Sequence, residues 1–291
     1  MNEQNSSLVK AGGYNPSVVM SEAEIAEAQV WLKSIVGQRS GITTINDGLA
    51  LIMKAKDYNI PLSAAVEHVH IIQGKTGADI HVLKALLSRA GVTWECLEDY
   101  APQYEYTDGC NVFNQTLIPS YCVICRSKEE ADKITDLDTG IIGVYPLRYY
   151  ADLKGNRFNE FEISDKWTVC TNKFHMLKIQ STGGYGVCRV PPIPVDYVAK
   201  YRFTRRKIVL GDKVISHSIG QYSYSEAVAA EMFTKDTYKK YPKVMVKVRA
   251  WTYGARDIAS DLCLGLLETT ELKQIFDEPI TDIDIQNADE I

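Results

Sequence analysis

Two residue pairs in the sequence have the types and spacing that can bind a metal ion. Cys122 and Cys125 are separated by two residues, as the thiolates of a zinc knuckle are. A knuckle also needs a turn between its thiolates and a second ligand pair, whereas here valine and isoleucine intervene in a strand-like run. His68 and His70 are predicted on one face of a strand, with Glu67 as their acidic neighbour. We interpret both pairs as structural.

A glycine-rich segment at residues 181–186, STGGYG, has the backbone amides that phosphate-binding loops use. It lacks the Gly-Lys-Ser/Thr ending of such loops and a strand-to-helix context, so we predict an ordinary loop. Among the five histidines and the dispersed acidic residues, no Ser-His-Asp, Cys-His or paired-carboxylate set stands out. The sequence therefore predicts a protein without bond-making catalysis.

The composition predicts a folded globular protein, since 45% of its 291 residues are hydrophobic. A formal net charge of -5 excludes a uniformly basic nucleic-acid coat, so a surface that binds nucleic acid must be local. The seven cysteines are odd in number and scattered, which is typical of reduced thiols in the cytoplasm. No apolar run approaches the roughly 18 residues that a bilayer span needs. We therefore expect a soluble, cytoplasmic protein without membrane contact.

Charge is distributed unevenly along the chain. Residues 200–256 contain 13 basic and four acidic side chains, whereas residues 257–291 contain one basic and ten acidic side chains. Cations along a track, together with flat side chains for the bases, are typical of proteins that bind single-stranded nucleic acid. A solvated helix face above core tyrosines fits the same composition, which leaves both interpretations open. The aromatic residues interleaved with the cations are Tyr197, Tyr201, Phe203, Tyr222, Tyr224, Tyr238 and Tyr241.

The hydrophobic periodicity predicts an α+β fold, in which a small antiparallel β-sheet or hairpin packs on a long helix, with additional N-terminal helices. A single core domain is expected over residues 21–275. A flexible N-terminal tail is expected at residues 1–20, and an acidic flexible C-terminal tail at residues 276–291. No internal repeat is expected.

The predicted elements follow from caps, apolar spacing and turn residues. Ser21 and Glu24 are predicted to form a capping box, and Gly91 is predicted to end a helix. The predicted helices cover residues 21–36, 44–58, 62–67, 78–91, 225–233 and from Lys239 or Tyr241 to about Leu267, and the clearest predicted strands cover residues 68–74, 92–100, 197–210 and 213–224, the last two joined by Gly211 and Asp212. The predicted core faces are Ile45, Leu49, Ile52 and Met53 in the second helix, and Val244, Val248, Trp251, Ala255, Ile258 and Leu262 in the long helix.

Two stretches of the chain resemble the RecT/Redβ superfamily of phage single-strand annealing proteins. The first, residues 58–92, is similar to the family's short helix, strand ending in Gly-Lys and helix ending in Arg-Ala-Gly. The second starts with YRFTRRK at Tyr201 and continues over residues 222–272. It resembles the family's basic hairpin, small helix, aromatic-Lys-Lys-x-Pro turn, and helix with Met-x-x-x-Arg-Ala and a later Ala-Arg. Together the stretches cover roughly 100 residues in the family's order, which is more specific than a single short motif.

The resemblance implies binding of single-stranded DNA and annealing of complementary strands in the recombination and repair of bacteriophage DNA. It implies a homo-oligomer, a ring or a helical filament, that also holds the annealed duplex intermediate. A partner exonuclease and the host single-strand-binding protein are further expected partners, in the cytoplasm of a bacterial host. No cofactor is expected, and Mg²⁺ is expected only as a modulator of DNA binding.

Cations at positions that match the family, and those of the hairpin and long helix, are predicted to contact DNA. His81 stands near the place where some relatives have a lysine, which departs from the family's pattern. Met245 also matches, and we interpret it as a packing residue. Arg249 and Arg256 lie a heptad apart on the long helix, next to Met245 and Thr252. The predicted DNA-binding residues are Lys75, Arg89, Arg202, Arg205, Arg206, Lys207, Lys239, Lys240, Lys243, Lys247, Arg249 and Arg256.

Two other functions stay open beside strand annealing. A phage DNA-processing nuclease would shorten DNA in the presence of Mg²⁺. A phage structural or host-interaction protein would dock a partner through the acidic tail and use the basic face as a subunit contact. Oligonucleotide binding and annealing of complementary strands separate these classes from the main hypothesis.

Arg249→Ala is predicted to weaken binding of single-stranded DNA without unfolding the protein, because the guanidinium is expected at the edge of the core stripe, within reach of a phosphate. Fluorescence anisotropy with a labelled oligonucleotide measures the first effect, and thermal unfolding measures the second. An unfolded variant whose refolded fraction binds normally would reassign Arg249 to structure.

Overall fold

The computed structural model describes residues 21–36, 42–73, 75–136, 138–263, 267–268 and 273. The two predicted tails, residues 1–20 and 276–291, lie outside the described residues. None of the helices in the described part combines the length and the apolar character that a bilayer span requires.

The chain has an α+β fold and forms two compact units. The first unit contains the chain up to Tyr100 and again from Ala199 onward, and the middle unit contains Ala101–Val198. The single core domain predicted over residues 21–275 thus includes two compact units, each with its own helices and sheets.

Ten α-helices and 14 β-strands are present in the described part of the chain. The helices are α1 Glu22–Ile35, α2 Ile45–Asp57, α3 Leu62–His68, α4 Ile80–Arg89, α5 Lys128–Ile134, α6 Lys173–Ser181, α7 Tyr224–Ala229, α8 Asp236–Lys240, α9 Pro242–Ile258 and α10 Ser260–Cys263. The strands are β1 Val69–Ile72, β2 Lys75–Ala78, β3 Val92–Gln103, β4 Glu105–Thr107, β5 Val112–Asn114, β6 Cys122–Ile124, β7 Ile142–Pro146, β8 Tyr149–Ala151, β9 Arg157–Asn159, β10 Trp167–Cys170, β11 Tyr185–Val190, β12 Asp196–Val209, β13 Asp212–Ser223 and β14 Leu267–Glu268.

Side-chain caps define the ends of the N-terminal helices. Ser21 and Glu24 form the predicted capping box at the start of α1, and Thr44 and Asp47 form a second box at the start of α2. Gly91 follows the end of α4 with φ +71°, a left-handed conformation that glycine adopts at little cost. The helix boundaries predicted from these residues are confirmed.

Helix α2 packs on two sides, which corrects its predicted core face. Ile52 is buried against Leu32 of α1, with Ile45 and Leu49 beside it. A second row, Leu51 and Ala55, is buried in the main core, whereas Gly48 is buried on the α1 side, where a Cβ atom would meet Leu32. Met53 was predicted on the core face, but it is 53% exposed. The helix has two apolar rows because it lies between α1 and the main core, and Met53 belongs to neither row.

The first unit contains a three-stranded antiparallel sheet with strand order β13-β12-β3. The Arg206 amide donates to the Gly91 carbonyl next to β3, which fixes the pairing of the two strands. A two-residue turn joins β12 to β13, with Leu210 at φ 53° and Gly211 at φ 93°. The turn was predicted at Gly211 and Asp212, one residue later. A second sheet, with order β1-β2-β14, also belongs to this unit.

Helix α9 lies across one face of the β13-β12-β3 sheet and forms the centre of the core. Its predicted stripe is confirmed from Val244 to Ile258, and Trp251 within it is fully buried. The helix was predicted to continue to Leu267, but it ends at Ile258, because Ala259 has a non-helical backbone with φ -142°. The remaining stripe residue, Leu262, lies in α10 and is partly buried against the same core.

Two glycines allow α9 to approach the sheet closely. A Cβ atom at Gly220 of β13 would lie 2.1 Å from the Ala250 carbonyl oxygen and 2.6 Å from the Gly254 amide nitrogen. A Cβ atom at Gly254 would lie 2.4 Å from Cε2 of Phe203. Neither position can hold a larger residue without separating helix and sheet.

The middle unit contains two four-stranded sheets that share one topology. The strand order is β5-β4-β7-β6 in the first and β9-β8-β11-β10 in the second. Each consists of an antiparallel hairpin followed by a parallel β-α-β unit, which includes α5 or α6. We name residues 105–146 repeat 1 and residues 149–190 repeat 2.

The strand registers of the two repeats coincide. In the parallel pair of repeat 1, Cys122 lies opposite Ile142, and at the same place in repeat 2, Trp167 lies opposite Tyr185. The hairpin turns also match, because one aspartate in each turn accepts hydrogen bonds from backbone amides and from an asparagine side chain. These pairs are Asp108 with Asn111 and Asp152 with Asn156.

The amino-acid sequences of the repeats agree at an offset of 45 residues through their central part. Between residues 113–134 and residues 158–179, seven of the 22 positions are identical. The prediction that the chain has no internal repeat is therefore wrong. The offset changes because the hairpin turn is one residue longer in repeat 2, and because Tyr185 follows Ile179 by six residues, whereas Ile142 follows Ile134 by eight. The identical pairs are Phe113/Phe158, Asn114/Asn159, Ile118/Ile163, Cys125/Cys170, Lys128/Lys173, Lys133/Lys178 and Ile134/Ile179.

Gly220→Ala is expected to lower the free energy of unfolding by about 3 kcal/mol, because the added methyl group meets backbone atoms of α9 that cannot rotate away. Urea denaturation measures the change. Gly140→Ala is the control, since Gly140 has φ +73° and open space around its Cβ position, and the expected loss there is about 1 kcal/mol. Equal losses in the two variants would contradict the close approach.

Candidate nucleic-acid interface

Alternation along β12 places two kinds of side chain on opposite faces of the three-stranded sheet. Tyr201 and Phe203 are fully buried on the face that α9 covers. The other face, which we name the open face, carries the exposed Arg202 and Arg206 and the half-exposed Lys200. The open face therefore has a row of cations. The Cα atoms of residues two apart on this face, such as Lys200 and Arg202, are separated by about 7 Å.

The end of the β12–β13 hairpin extends this row. Arg206 and Lys213 are exposed, and neither forms an ion pair within the described part of the chain. Lys207 is also exposed, but alternation places it on the same side of β12 as Arg205, where its charge helps to lower the pKa of Asp261. Ile208 and Leu210 beside them are 61% and 101% exposed. The hairpin end thus offers cations and apolar surface that are available to a ligand.

Arg202 is the open-face cation with an acidic partner. Its Nη1 atom lies 3.4 Å from Oε2 of Glu95, and both side chains are more than half exposed. A surface pair of this kind stabilises a fold by about 1 kcal/mol or less. A phosphate can therefore replace Glu95 as the partner of Arg202 at little cost in stability.

Arg205 was predicted to contact DNA, but its side chain has a structural position. It donates to both carboxylate oxygens of Asp261, at 2.5 and 2.8 Å, and to the Ile258 carbonyl at 3.3 Å. The guanidinium lowers the pKa of Asp261, and the carboxylate raises the pKa of Arg205. With only 11% of its side chain exposed, Arg205 connects the sheet to the end of α9.

Two of the predicted lysines on α9 share one carboxylate. The Nζ atoms of Lys243 and Lys247 lie 3.4 and 3.2 Å from the carboxylate of Asp99. Partial burial alone would raise the pKa of Asp99, but the two lysines hold it below its ordinary value. Only 8% of the Lys247 side chain is exposed, whereas half of the Lys243 side chain is. Lys247 is therefore poorly placed for a phosphate, and Lys243 is better placed.

Arg249 and Arg256 lie on α9 and are both half-buried. The Nε atom of Arg249 donates to the hydroxyl oxygen of Tyr238, which is fully buried, at 3.4 Å. This contact holds the base of the guanidinium against the core. Met245 is also fully buried, as its interpretation as a packing residue requires.

The other predicted cations are distributed over three elements. Lys239 and Lys240 are exposed at the end of α8, and Lys239 lies 3.6 Å from Asp236. Lys75 is exposed at the start of β2. Arg89 is exposed, but its Nη1 atom donates to the Tyr58 and Asn59 carbonyl oxygens at 3.1 and 3.0 Å, where it caps the end of α2. The structure brings Arg202 and Arg206 together on the open face of β12, whereas Lys207 lies on the other face of the same strand.

The aromatic residues of the basic segment are mostly core residues. Tyr201, Phe203, Tyr222 and Tyr238 are buried, so they cannot stack on bases as the track hypothesis requires. Burial raises the pKa of Tyr222 to about 12. The composition left open whether these aromatic residues stack on bases or belong to the core. These four belong to the core.

The two histidines do not share a strand face, which corrects their predicted placement. His68 is the last residue of α3, whereas His70 lies in β1. Nδ1 of His68 lies 2.5 Å from Oδ2 of Asp79, and Asp79 is the buried cap of α4. Among the described residues, no group of three or more His, Cys, Asp or Glu side chains is arranged to hold a metal ion.

The cysteine pair and the glycine-rich segment also have structural positions. Cys122 lies in β6 and Cys125 is buried just after it, and burial raises the pKa of both thiols. Within residues 181–186, Ser181 ends α6, residues 182–184 form the connection, and Tyr185 and Gly186 begin β11, so the order is helix to strand. A phosphate-binding loop has the reverse order. The predicted loop is confirmed for residues 182–184 alone, because the other three residues belong to α6 and β11.

Sequence reasoning missed two cations of the open face, Lys200 and Lys213, as candidate site residues. The signal was present, since Lys200, Arg202 and Arg206 recur with the two-residue period of a strand that is buried on one face. The predicted site included the helix because cations are dense in its sequence, although most of the surface of α9 is buried in the core.

Comparison of the chain with models of known protein families, with curated proteins and with solved structures finds no match in any of the three.

Arg205→Ala and Arg206→Ala are expected to separate stability from binding, because adjacent residues point to opposite faces. Arg205→Ala should lower the free energy of unfolding by about 2 kcal/mol, as expected when hydrogen bonds to a charged group are lost. Arg206→Ala should leave stability unchanged and weaken binding of a labelled oligonucleotide. Urea denaturation and fluorescence anisotropy on both variants measure the two effects.

The pH dependence of the Arg205 effect is an internal control. Because the folded pKa of Asp261 is lowered, the pair stabilises the fold above the unfolded value of 3.8, and this contribution is lost as the pH falls through the folded pKa. The difference in stability between wild type and Arg205→Ala should shrink below pH 3.8. A constant difference would show that Arg205 stabilises the fold by packing alone.

Proposed function

We propose that this protein binds single-stranded DNA and anneals complementary strands, as RecT-like annealing proteins do, and that it acts without bond-making chemistry. The observation that carries the proposal is the row of exposed cations on the open face, which continues to the end of the hairpin. The resemblance of residues 58–92 and 222–272 to the RecT/Redβ superfamily supports it independently. We further propose a homo-oligomer in the cytoplasm of a bacterial host that acts in phage recombination.

The chemistry of the open face fits a strand that is held by its phosphates. Arg206 and Lys213 are exposed and make no ion pair within the described residues, so they can neutralise phosphates. The aromatic side chains of β12 point into the core, so the open face has few flat surfaces for bases. Bases that the protein leaves free remain available to a complementary strand. Contact with phosphates rather than bases therefore suits annealing better than sequence-specific readout.

A salt titration tests the proposal. Binding of a labelled oligodeoxythymidine is expected to weaken as salt increases, with a log-log slope of about -0.7 for each phosphate contacted. The protein is also expected to accelerate annealing of two complementary strands. The triple variant Arg202→Ala, Arg206→Ala, Lys213→Ala should reduce the magnitude of the slope by about 2, because three phosphate contacts are removed.

A charge-matched control separates local contacts from net charge. The triple variant Arg126→Ala, Lys128→Ala, Lys133→Ala removes three exposed cations of repeat 1 and should leave the slope unchanged. Salt-independent binding together with unassisted annealing would refute the proposal. Shortening of the DNA in the presence of Mg²⁺ would instead support a nuclease.

A further inference from the structure

Three aromatic residues of repeat 2 form a partly exposed cluster. The ring centroids of Phe158 and Trp167 are 4.9 Å apart in an edge-to-face arrangement. Those of Trp167 and Tyr185 are 4.6 Å apart. Tyr185 is 40% exposed, and the other two residues are half-buried. We name these three residues the aromatic cluster.

The duplication provides an internal comparison for this cluster. At the positions of Trp167 and Tyr185, repeat 1 has Cys122 and Ile142, which lie opposite each other in the same strand register. Repeat 1 forms the same sheet with these smaller residues, so the fold does not require two large aromatic rings there. Because the sheet can form without Trp167 and Tyr185, their presence at partly exposed positions indicates a role in binding.

A hydrogen bond holds one ring of the cluster in place. The Tyr185 hydroxyl donates to Oδ2 of Asp152 at 2.7 Å. Asp152 also organises the hairpin turn of repeat 2, where it accepts from the Lys154 and Asn156 amides. The equivalent Asp108 of repeat 1 makes the same kind of turn, but the side chain at the position of Tyr185 is Ile142, which cannot donate. The tyrosine is thus oriented by a feature that both repeats have.

Cations lie next to the cluster along the chain. Lys166 precedes Trp167, and Lys154 lies in the turn that Asp152 organises, and both lysines are exposed. Asp165 is the acidic neighbour of Lys166, and it is also exposed. Partly exposed rings with lysines nearby are the combination that proteins use to stack bases and hold the adjacent phosphates of a single strand.

We infer that the aromatic cluster of repeat 2 is a base-stacking site for single-stranded DNA, separate from the cations of the open face. The inference rests on the proposed function and adds a second contact to it. Stacking occupies the flat side of a base and leaves its pairing edge free, so the contact is compatible with annealing. The site takes bases without regard to sequence, because every base has a flat face.

Replacing the cluster by the residues of repeat 1 tests the inference. The double variant Trp167→Cys, Tyr185→Ile introduces the pair that repeat 1 has at the same place in its sheet, so it is expected to fold. It should bind labelled oligodeoxythymidine about tenfold more weakly than wild type, a difference of about 1.4 kcal/mol. An abasic strand of the same length is the second probe, and the wild type and the double variant should bind it equally.

The controls address folding and nonspecific loss of aromatic surface. Circular dichroism and thermal unfolding check the fold of the double variant, and Trp167→Leu, which keeps an apolar side chain, should weaken binding in the same direction. Tyr121→Ser removes a 53% exposed aromatic residue of repeat 1 and should leave binding unchanged. Folded cluster variants that bind oligodeoxythymidine like wild type would overturn the stacking site while leaving the proposed function intact. A wild-type protein that binds neither probe would overturn both.

Discussion

Helix α9 and strand β13 approach each other so closely that two backbones pack without side chains between them. Gly220 and Gly254 make this possible, and the Phe203 ring packs at Gly254 and edge-to-face on Trp251, with ring centroids 5.6 Å apart. The contact decides which face of the three-stranded sheet is covered. Because side chains alternate along β12, covering one face obliges the intervening cations, such as Arg202, to lie on the other. The position of the candidate interface is thus a consequence of core packing.

The cations of the first unit divide into two groups according to their partners. Arg205, Lys247 and Arg89 are bound to a carboxylate or to carbonyl oxygens of the same chain, so each stabilises the contact between two elements. Arg206 and Lys213 are exposed and form no ion pair within the described chain, so they are available to a ligand. The net charge of a segment therefore overstates the charge of its surface. Part of the positive charge of residues 200–256 is already neutralised inside the fold.

Local signals in the sequence predicted the helices with caps, the hairpin and the core stripe of α9. They succeeded because a cap, a turn and a periodic stripe each depend on neighbouring residues. Prediction failed where long-range contacts decide. Met53 is exposed among the described residues, and Arg205 has its partner, Asp261, 56 residues away. The internal repeat was missed because its identities are few and its period changes between the hairpin and the helix. Strand register, which only the folded chain displays, made the duplication evident.

The two ends of the middle unit meet at a backbone hydrogen bond, in which the Val195 amide donates to the Gln103 carbonyl at 2.9 Å. The chain therefore leaves β3 and returns to β12 at nearly the same point, as it would through a short turn between neighbouring strands. Everything between these residues is an insertion into a hairpin-like connection. Modules of this kind can be doubled, lost or altered during evolution without a change in the pairing of the strands that carry them. The two repeats show what such a connection tolerates, since they share one scaffold and differ in side chains such as Cys122 and Trp167.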